Sequence, residues 1–387
     1  MSPASRYAIA ADGVFDGAAV LRDTAVVIEG ARIAAVVPRR ELAASIPVRA
    51  MSAGAWLAPG FIDVQVNGGG DVLFNDDPTP AGLRAIAAAH RRFGTCGLLP
   101  TLITTTAERV EAALRAAGEK PIPGVLGLHL EGPHLDPERR GVHDHRAMRP
   151  MTEADVDMLL AADVGSLLLT VAPEQVSTDQ VRRLVAGGVT VSLGHTNAPF
   201  SRAKELIDAG ATGVTHLFNA MSPLENRTPG VVGAALDAAS VWCGVIADGL
   251  HVDAATLRIA LRAKRPPGRL FLVTDAMPTV GSTMTSFSLG HTVVSLRQGR
   301  LTATDDDGRE VLAGSHLDMA SAVRFCVEHL EVSLEEALRM ASHYPATFLR
   351  LDGSHGRIAS GYAADIVHLD GDLQVRRTWV AGAGPPT

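Results

Sequence analysis

The sequence is poor in the features that mark secreted, membrane and nucleic-acid-binding proteins. Its three cysteines, Cys96, Cys243 and Cys326, are far apart in apolar segments, which predicts reduced, buried thiols and a cytosolic protein. No run approaches the roughly 18 apolar residues of a membrane-spanning helix, and the first residues lack a leader-peptide pattern. Basic residues are not in excess, since 35 Lys and Arg stand against 42 Asp and Glu, for a net charge of -7. We therefore expect a soluble, unprocessed cytoplasmic protein without a nucleic-acid or membrane partner.

Motifs for nucleotide phosphates are also missing, because the chain has neither a GxxxxGK[ST] loop nor a GxGxxG turn. An anionic substrate would need a local pocket of its own. Arg227, in the segment after Thr215, offers a planar fork of donors that suits phosphate. A solvated surface arginine is the alternative interpretation.

Length and composition favour one large domain with a smaller unit built from both ends. The chain has 387 residues, of which 47% are hydrophobic. Residues 7–50 and the tail from Gly356 to Gly382 read as short alternating strands, and neither end alone offers enough strands for a stable sheet. We predict a small β-sandwich from residues 1–56 and 356–387, around a catalytic barrel of residues 57–355.

Apolar runs alternate with amphipathic segments through the middle of the chain, which is typical of a parallel sheet with crossover helices. Eight such runs begin at Leu57, Gly97, Val125, Ser166, Val189, Gly213, Val241 and Leu270. Eight β/α units predict a (β/α)8 TIM-like barrel, although an open doubly wound sheet has the same local pattern. An alternating stretch at residues 286–308 predicts hairpins inserted after the eighth run.

Polar side chains stand at the ends of these runs, where a buried strand should be apolar. They are Gln65, Asn67, Glu131, His195, His216, His251 and Asp275. Because the carboxyl ends of barrel strands meet at one face, we expect these side chains to share one site.

One carboxylate and two imidazoles among them, from Glu131, His195 and His216, form a ligand set that binds a divalent transition metal and leaves positions open for water. A single histidine would more often be a hydrogen-bonded core or surface residue, but the coincidence at strand ends favours a catalytic metal site. Asp275 sits in an apolar strand that gains nothing from a buried carboxylate, which indicates proton transfer. A helix N-cap is the alternative for Asp275.

Three further histidines, His129, His134 and His143, lie in or after the third run, and loops there face the site. We interpret His143 as a group that polarises a substrate carbonyl. The other two are expected to brace the strand and the loop.

These segments occur in the order of a known family: PGFIDVQVNG, HLEGPHL, RGVH, SLGHT, THLFNAM, ADGLHVD, TDAM and LAGS. From about Ala58 to Asp365 the chain resembles the N-acetylglucosamine-6-phosphate deacetylases of the amidohydrolase superfamily. The resemblance implies a TIM-like barrel with a β-sandwich from both termini and hydrolysis of N-acetylglucosamine 6-phosphate to glucosamine 6-phosphate and acetate.

The resemblance also implies roles for individual residues. Glu131, His195 and His216 would hold one divalent metal per subunit, zinc first, with iron, manganese or cobalt as alternatives. Asp275 would be the general acid/base, and His143 would contact the acetyl carbonyl. The residues implied in sugar-phosphate binding are Asn219, Ala220, Arg227 and His251. In the family Arg227 and His251 act on the neighbouring subunit's substrate, so a homodimer is expected.

Two positions depart from the wider pattern. The first strand of the superfamily usually ends in H-x-H, but Gln65 and Asn67 stand here, which predicts a single metal. His316 stands where the family more often has a small residue. The rival functions are a cyclic-amide hydrolase, which typically keeps H-x-H and a bridging lysine, the same reaction on N-acetylgalactosamine 6-phosphate, and a non-catalytic barrel that binds a partner or ligand.

Overall fold

The structure is a computed structural model that describes residues 6–51, 54–119, 122–304 and 308–384. The outermost residues of the predicted β-sandwich, 1–5 and 385–387, lie outside the described residues, as does the end of the predicted hairpin insert at 305–307.

The strands, numbered in chain order, are β1 (Arg6–Phe15), β2 (Val20–Glu29), β3 (Arg32–Pro38), β4 (Val48–Ala50), β5 (Trp56–Pro59), β6 (Phe61–Val66), β7 (Gly68–Gly69), β8 (Val72–Leu73), β9 (Thr95–Ile103), β10 (Gly127–Glu131), β11 (Ser166–Val171), β12 (Thr190–Leu193), β13 (Gly213–Val214), β14 (Trp242–Val245), β15 (Leu270–Leu272), β16 (Ser286–Leu289), β17 (Thr292–Arg297), β18 (Arg300–Thr304), β19 (Glu310–Leu312), β20 (Ile366–Leu369) and β21 (Val375–Trp379).

The α-helices are α1 (Pro80–Arg91), α2 (Ala107–Gly118), α3 (Glu153–Leu160), α4 (Thr178–Ala186), α5 (Phe200–Asp208), α6 (Gly230–Asp237), α7 (Ala254–Ala263), α8 (Met319–His329), α9 (Leu334–Ala341) and α10 (His343–Phe348). Short 3-10 helices span Arg39–Glu41, Pro137–Arg139 and His145–Ala147. Side-chain caps begin several of the α-helices, and α3 and α4 each start with a capping box, from Thr152 and Ser177 respectively. Among the described residues, no helix is long and apolar enough to cross a membrane.

Eight strands form the barrel in the unbroken order β6, β9, β10, β11, β12, β13, β14, β15. Neighbours in this series pair in parallel, and β15 returns to β6 through a parallel bridge between Val66 and Ala276. A doubly wound sheet would reverse its strand order at a switch point, and this sheet does not. The predicted α/β fold class is therefore confirmed as a TIM-like barrel with a separate β domain.

The first apolar run is two strands rather than one. Strand β5 pairs with β1 and β20 in the terminal sheet, although its residues 57–59 fall within the predicted barrel range, and only β6 enters the barrel. The chain divides at Gly60, where a Cβ atom would lie 2.2 Å from the Sγ of Cys96. Glycine is needed there because the backbone passes against a buried side chain.

The terminal sheet takes strands from both ends of the chain, in the order β21, β20, β5, β1, β2, β3, with β4 paired to β1. Both of its faces are covered, which explains the continuous burial along the second half of β2. Val26 and Ile28 pack into one apolar cluster, whereas Ala25 and Val27 pack into another on the opposite face. Burying both faces gives this small sheet the hydrophobic area that either terminus alone would lack.

The insert after the eighth run is an antiparallel sheet in the order β16, β17, β18, β19, as the alternating pattern predicts. Its buried residues, including Val294 and Leu301, pack with Leu73 and Met277 from the barrel mouth. The three cysteines are free and buried, in agreement with the prediction of reduced thiols.

Candidate active site

Most of the predicted site residues lie around one cavity of about 330 Å3 at the carboxyl ends of the barrel strands. Those that line it are Asn67, Glu131, His143, His195, His216, Asn219, Ala220, His251 and Asp275. Gln65 contacts two of these residues from the strand β6. Arg227 is the exception, because it is exposed and does not line the cavity.

Several barrel strands end before the apolar runs do, so that three of the four central side chains follow their strands. Glu131 is the last residue of β10, but His195 and His216 lie two residues beyond β12 and β13, and Asp275 lies three residues beyond β15. These three have left-handed backbone conformations, with φ of 48°, 31° and 53°. A non-glycine residue pays about 1 to 3 kcal/mol for such a conformation, and such strain clusters at functional sites.

Three ligand atoms converge at the centre of the cavity. The Oε1 atom of Glu131 lies 3.2 Å from Nε2 of His195 and 3.1 Å from Nε2 of His216, and the two Nε2 atoms are 3.0 Å apart. All three side chains are buried. Glu131, His195 and His216 are the one group of this kind found in the described parts of the chain.

The surrounding hydrogen bonds prepare these atoms for a cation. The Nδ1 atom of His195 lies 2.8 Å from the carbonyl oxygen of Arg139, so it carries the proton and leaves Nε2 with a free lone pair. Burial alone would raise the pKa of Glu131, but protons on Nε2 of His195 and His216 lower it well below its usual range, and a cation bound in place of those protons would act on the carboxylate in the same direction. An ionised carboxylate and two imidazole lone pairs fit a divalent transition metal.

Asp275 lies beside this centre and is held by two amides. Asn67 donates its Nδ2–H to Oδ1 of Asp275 at 2.6 Å, and Gln65 donates from Nε2 to the same oxygen at 3.2 Å and to Oε1 of Glu131 at 3.1 Å. Burial, followed by the charge of Glu131, raises the pKa of Asp275 to about 6. That value suits a group that exchanges protons near neutral pH.

His143 presents one nitrogen to the cavity. The backbone N–H of Thr104 donates to its Nδ1 at 3.4 Å, and the Thr104 hydroxyl is 2.9 Å from the same atom. With Nδ1 as the acceptor, the ring proton is on Nε2, 3.9 Å from Oε2 of Glu131. Burial and the neighbouring His195 lower the pKa of His143 to about 3, so the ring is a neutral donor.

His251 and Arg227 differ in where they lie. Nδ1 of His251 is 2.7 Å from Oδ2 of Asp248, and the ring lines the cavity of its own chain. The prediction that His251 also reaches the neighbouring subunit's site stays a prediction. Arg227, by contrast, projects from an exposed loop.

The other three histidines singled out in the sequence have hydrogen bonds that brace the structure. His129 is buried between Thr101 and Thr170, with Nε2 2.8 Å from the Thr170 hydroxyl. His134 lies 3.0 Å from the carbonyl oxygen of Arg149 in the loop after β10. Nδ1 of His316, which had no account in the sequence, lies 2.9 Å from the Thr279 hydroxyl and outside the cavity lining.

Two contributors to the site were missed in the sequence. Thr104 orients His143, and its signal was available, since it is a polar residue at the end of the second apolar run. Arg139 acts through its carbonyl oxygen, and a backbone group leaves no signal in the side-chain pattern. Apolar walls come from Ile103, Ile246, Met277 and Leu312, the last of these from the inserted sheet.

Family comparisons cover nearly the whole chain. The family described as "Amidohydrolase family" matches residues 56–384, and the "NagA composite domain" matches residues 7–57. An N-acetylgalactosamine-6-phosphate deacetylase from Shewanella sp. (strain ANA-3) is 46% identical, over 84% of this chain and 82% of the relative. An N-acetylglucosamine-6-phosphate deacetylase from Haemophilus influenzae is 34% identical, over 97% of this chain and 98% of the relative.

A solved structure shares the architecture. The N-acetylglucosamine-6-phosphate deacetylase from Pasteurella multocida superposes with a TM-score of 0.93 at 33% identity, covering 99% of this chain and 100% of the other. The likeness thus extends through the terminal sheet as well as the barrel.

Proposed function

The chain belongs to the amidohydrolase family, and from that premise we propose that it hydrolyses the acetamide bond of N-acetylglucosamine 6-phosphate, releasing acetate and glucosamine 6-phosphate. One observation carries the proposal: a carboxylate and two imidazoles meet within 3.2 Å of one another beside a proton-accepting Asp275, in a cavity at the barrel mouth. The non-catalytic alternative would not need this arrangement.

We propose that Glu131, His195 and His216 hold one divalent metal per subunit, with zinc expected first and iron, manganese or cobalt as alternatives. Such an ion lowers the pKa of a bound water to about 7 and polarises the substrate carbonyl. The amides of Gln65 and Asn67 direct their N–H groups at Asp275, and a neutral amide oxygen is a weaker ligand for a transition metal than the imidazoles of an H-x-H pair. This supports one ion rather than two, and it separates the chain from cyclic-amide hydrolases that keep H-x-H.

Asp275 moves the proton in both halves of the reaction. Its ionised carboxylate accepts a proton as the water oxygen forms a bond to the acetyl carbon. The protonated carboxyl then gives that proton to the sugar nitrogen as the carbon–nitrogen bond breaks. The amine leaves neutral, and the other product leaves with the water oxygen and its remaining proton as acetic acid, which ionises to acetate at neutral pH.

His143 stabilises the charge that forms between these steps. Its Nε2–H faces the cavity because Thr104 occupies Nδ1. A neutral donor there can hydrogen-bond the carbonyl oxygen and its developing negative charge without competing for the proton that Asp275 holds.

The sugar phosphate would be held by Asn219, Ala220 and His251 from the chain that carries the cavity and by Arg227 from a second copy. The motivation is the placement of Arg227 on an exposed loop outside its own cavity, in a protein of net charge -7 that needs a cationic grip on phosphate. We therefore propose a homodimer in which Arg227 crosses the subunit boundary. A cytoplasmic location also stays a prediction.

N-acetylgalactosamine 6-phosphate is the second candidate substrate. The observation that favours it is the 46% identity to the Shewanella enzyme, which acts on the galacto sugar. The two substrates differ only in the configuration of the hydroxyl group on C4, whereas the bond that breaks is on the nitrogen at C2.

The test is acetate release by the purified protein from the two phosphorylated sugars, measured side by side with metal content. We expect hydrolysis of the gluco sugar with the higher kcat/KM. A higher kcat/KM for the galacto sugar would make N-acetylgalactosamine 6-phosphate the assigned substrate. If metal-loaded protein released no acetate from either sugar, the deacetylase function would be refuted.

A further inference from the structure

The barrel closes by a seam between its first and last strands, β6 and β15. Elsewhere neighbouring strands form parallel ladders, with register shifts between β6 and β9, but β6 and β15 are the ends of the hydrogen-bonded series. In the described residues the seam is closed by a single parallel bridge and by backbone bonds such as the one from Asp275 N–H to the Gln65 carbonyl, at 2.9 Å. The proposed general acid/base therefore stands where the sheet is least regular.

Asp63 fills the gap in this seam. Its side chain is completely buried in β6. Oδ2 accepts a hydrogen bond from the Thr274 hydroxyl at 2.6 Å, and Oδ1 accepts from the N–H groups of Gln65 at 3.2 Å and Thr274 at 3.3 Å. Burial raises the pKa of Asp63 to about 7, and none of the groups that shift that pKa is a cation. The three hydrogen bonds from Gln65 and Thr274 are therefore what compensates the burial of this carboxyl group.

These bonds complete the support of the peptide unit that carries Asp275. Thr274 N–H donates to Asp63, and the Thr274 carbonyl accepts from the Ser315 hydroxyl at 2.6 Å. Asp275 N–H donates to Gln65, and its carbonyl accepts from Ser315 N–H at 2.9 Å. All four backbone polar groups are engaged, which over-determines the left-handed conformation of Asp275, with its φ of 53°.

We propose that Asp63, acting through Thr274, is a positioning residue that holds the Asp275 carboxylate in its strained orientation toward the cavity. The inference rests on the proposed function, because the orientation matters only if Asp275 transfers the proton. A displacement of about 1 Å at a reacting group costs on the order of a hundredfold in rate. The rival explanation is that Asp63 merely closes the barrel.

The decisive comparison is Thr274→Val against Thr274→Ser. Valine keeps the shape and removes the hydroxyl that donates to Asp63 and accepts from the Ala276 N–H, whereas serine keeps both hydrogen bonds. We expect Thr274→Val to lower kcat by about tenfold to a hundredfold with KM and metal content nearly unchanged, and Thr274→Ser to stay within about threefold of the parent. Thr95→Val is the matched control, since the Thr95 hydroxyl is buried at the start of β9 and has no hydrogen-bond partner among the described residues. It should leave kcat unchanged.

A double-mutant cycle with Asp275→Asn separates positioning from general support. If Thr274 acts through the Asp275 carboxylate, Thr274→Val should lower kcat no further once that carboxylate is gone. A full additional loss in the Asp275→Asn background, or a normal kcat for Thr274→Val alone, would overturn the inference. If Thr274→Val does not fold, as judged by thermal unfolding, Asp63→Asn replaces it in the same cycle and is judged by the same criteria.

The parent protein is assayed first. If the parent releases no acetate, both the proposed function and this inference are refuted. If the parent is active and Thr274→Val has the same kcat, only the inference is refuted.

Discussion

Replacing Asn67 with leucine should move the pH dependence of catalysis. Asn67 donates the shortest hydrogen bond to Asp275, at 2.6 Å to Oδ1, while its own Oδ1 has no hydrogen-bond partner in the described residues. Leucine of similar size therefore removes one bond to a carboxylate and little else. Hydrogen bonds to charged groups are worth about 1.5 to 3 kcal/mol, which corresponds to about 1 to 2 pKa units on the 1.36 kcal/mol scale.

The direction of the shift follows from the role of Asp275. The group must be ionised to accept a proton from water, so kcat falls as the pH drops through its pKa. Burial and the charge of Glu131 already raise that pKa to about 6, with His216 and Asn67 opposing them. A bound cation would lower the pKa of Asp275, but loss of the Asn67 hydrogen bond raises that pKa relative to the parent protein in either case. The acidic limb of the profile should therefore move up by about 1 to 2 pH units.

The assay is kcat for acetate release between pH 5 and pH 9, with metal content measured for each variant. Asn75→Leu is the control, since Asn75 is a buried asparagine that bonds the backbone of Ile103 and leaves the donors of Asp275 untouched. Asn75→Leu should unfold at a lower temperature than the parent protein, and the acidic limb of its kcat profile should lie at the same pH as in the parent. An Asn67→Leu limb within about 0.3 units of the parent, with metal bound, would refute the assignment of Asp275 as the titrating base.

Four further outcomes are expected. Asp275→Asn should keep the metal and lower kcat by on the order of a hundredfold or more, and a near-normal kcat would assign the proton transfer elsewhere. His143→Gln should lower kcat by about tenfold to a hundredfold with a smaller change in KM, and an unchanged kcat would exclude its nitrogen from the oxyanion. A chelator should abolish acetate release while the protein keeps most of its circular dichroism signal. Elemental analysis should find one ion per chain, and two tightly held ions would contradict the single-metal site inferred from Gln65 and Asn67. Arg227→Ala should raise KM for the phosphorylated sugar strongly. Hybrid dimers of one Arg227→Ala subunit and one Asp275→Asn subunit should regain activity, because one of their two sites carries neither defect. Purified hybrids without activity would show that each subunit uses its own Arg227.

The local pattern of the sequence was sufficient for the barrel and for most of the candidate site. Apolar runs separated by amphipathic helices depend on residues close in the chain, and their number and order match the observed sheet. Because parallel strands all present their carboxyl ends to one face, polar residues at those ends had to meet. Glu131, His195, His216 and Asp275 could thus be grouped before any contact was known.

The sequence pattern was less informative where backbone geometry or a neighbouring loop decides the outcome. The strands are shorter than the apolar runs, since His195, His216 and Asp275 follow their strands in left-handed conformations that no periodicity reveals. In the sequence, His251 and Arg227 both follow neighbouring strands as polar side chains, yet His251 lines the cavity and Arg227 is exposed.

Tertiary structure alone decided the contacts that make these residues chemically competent. Asp63 and Thr274 are 211 positions apart, and only closure of the barrel brings them into one hydrogen bond beside Asp275. The tautomer of His195 depends on a carbonyl oxygen of Arg139, which every residue type would supply. Residue types and their spacing determine which groups can reach the barrel mouth, whereas proton positions and side-chain orientations depend on buried hydrogen bonds between distant segments, and these exist only once the chain has closed on itself.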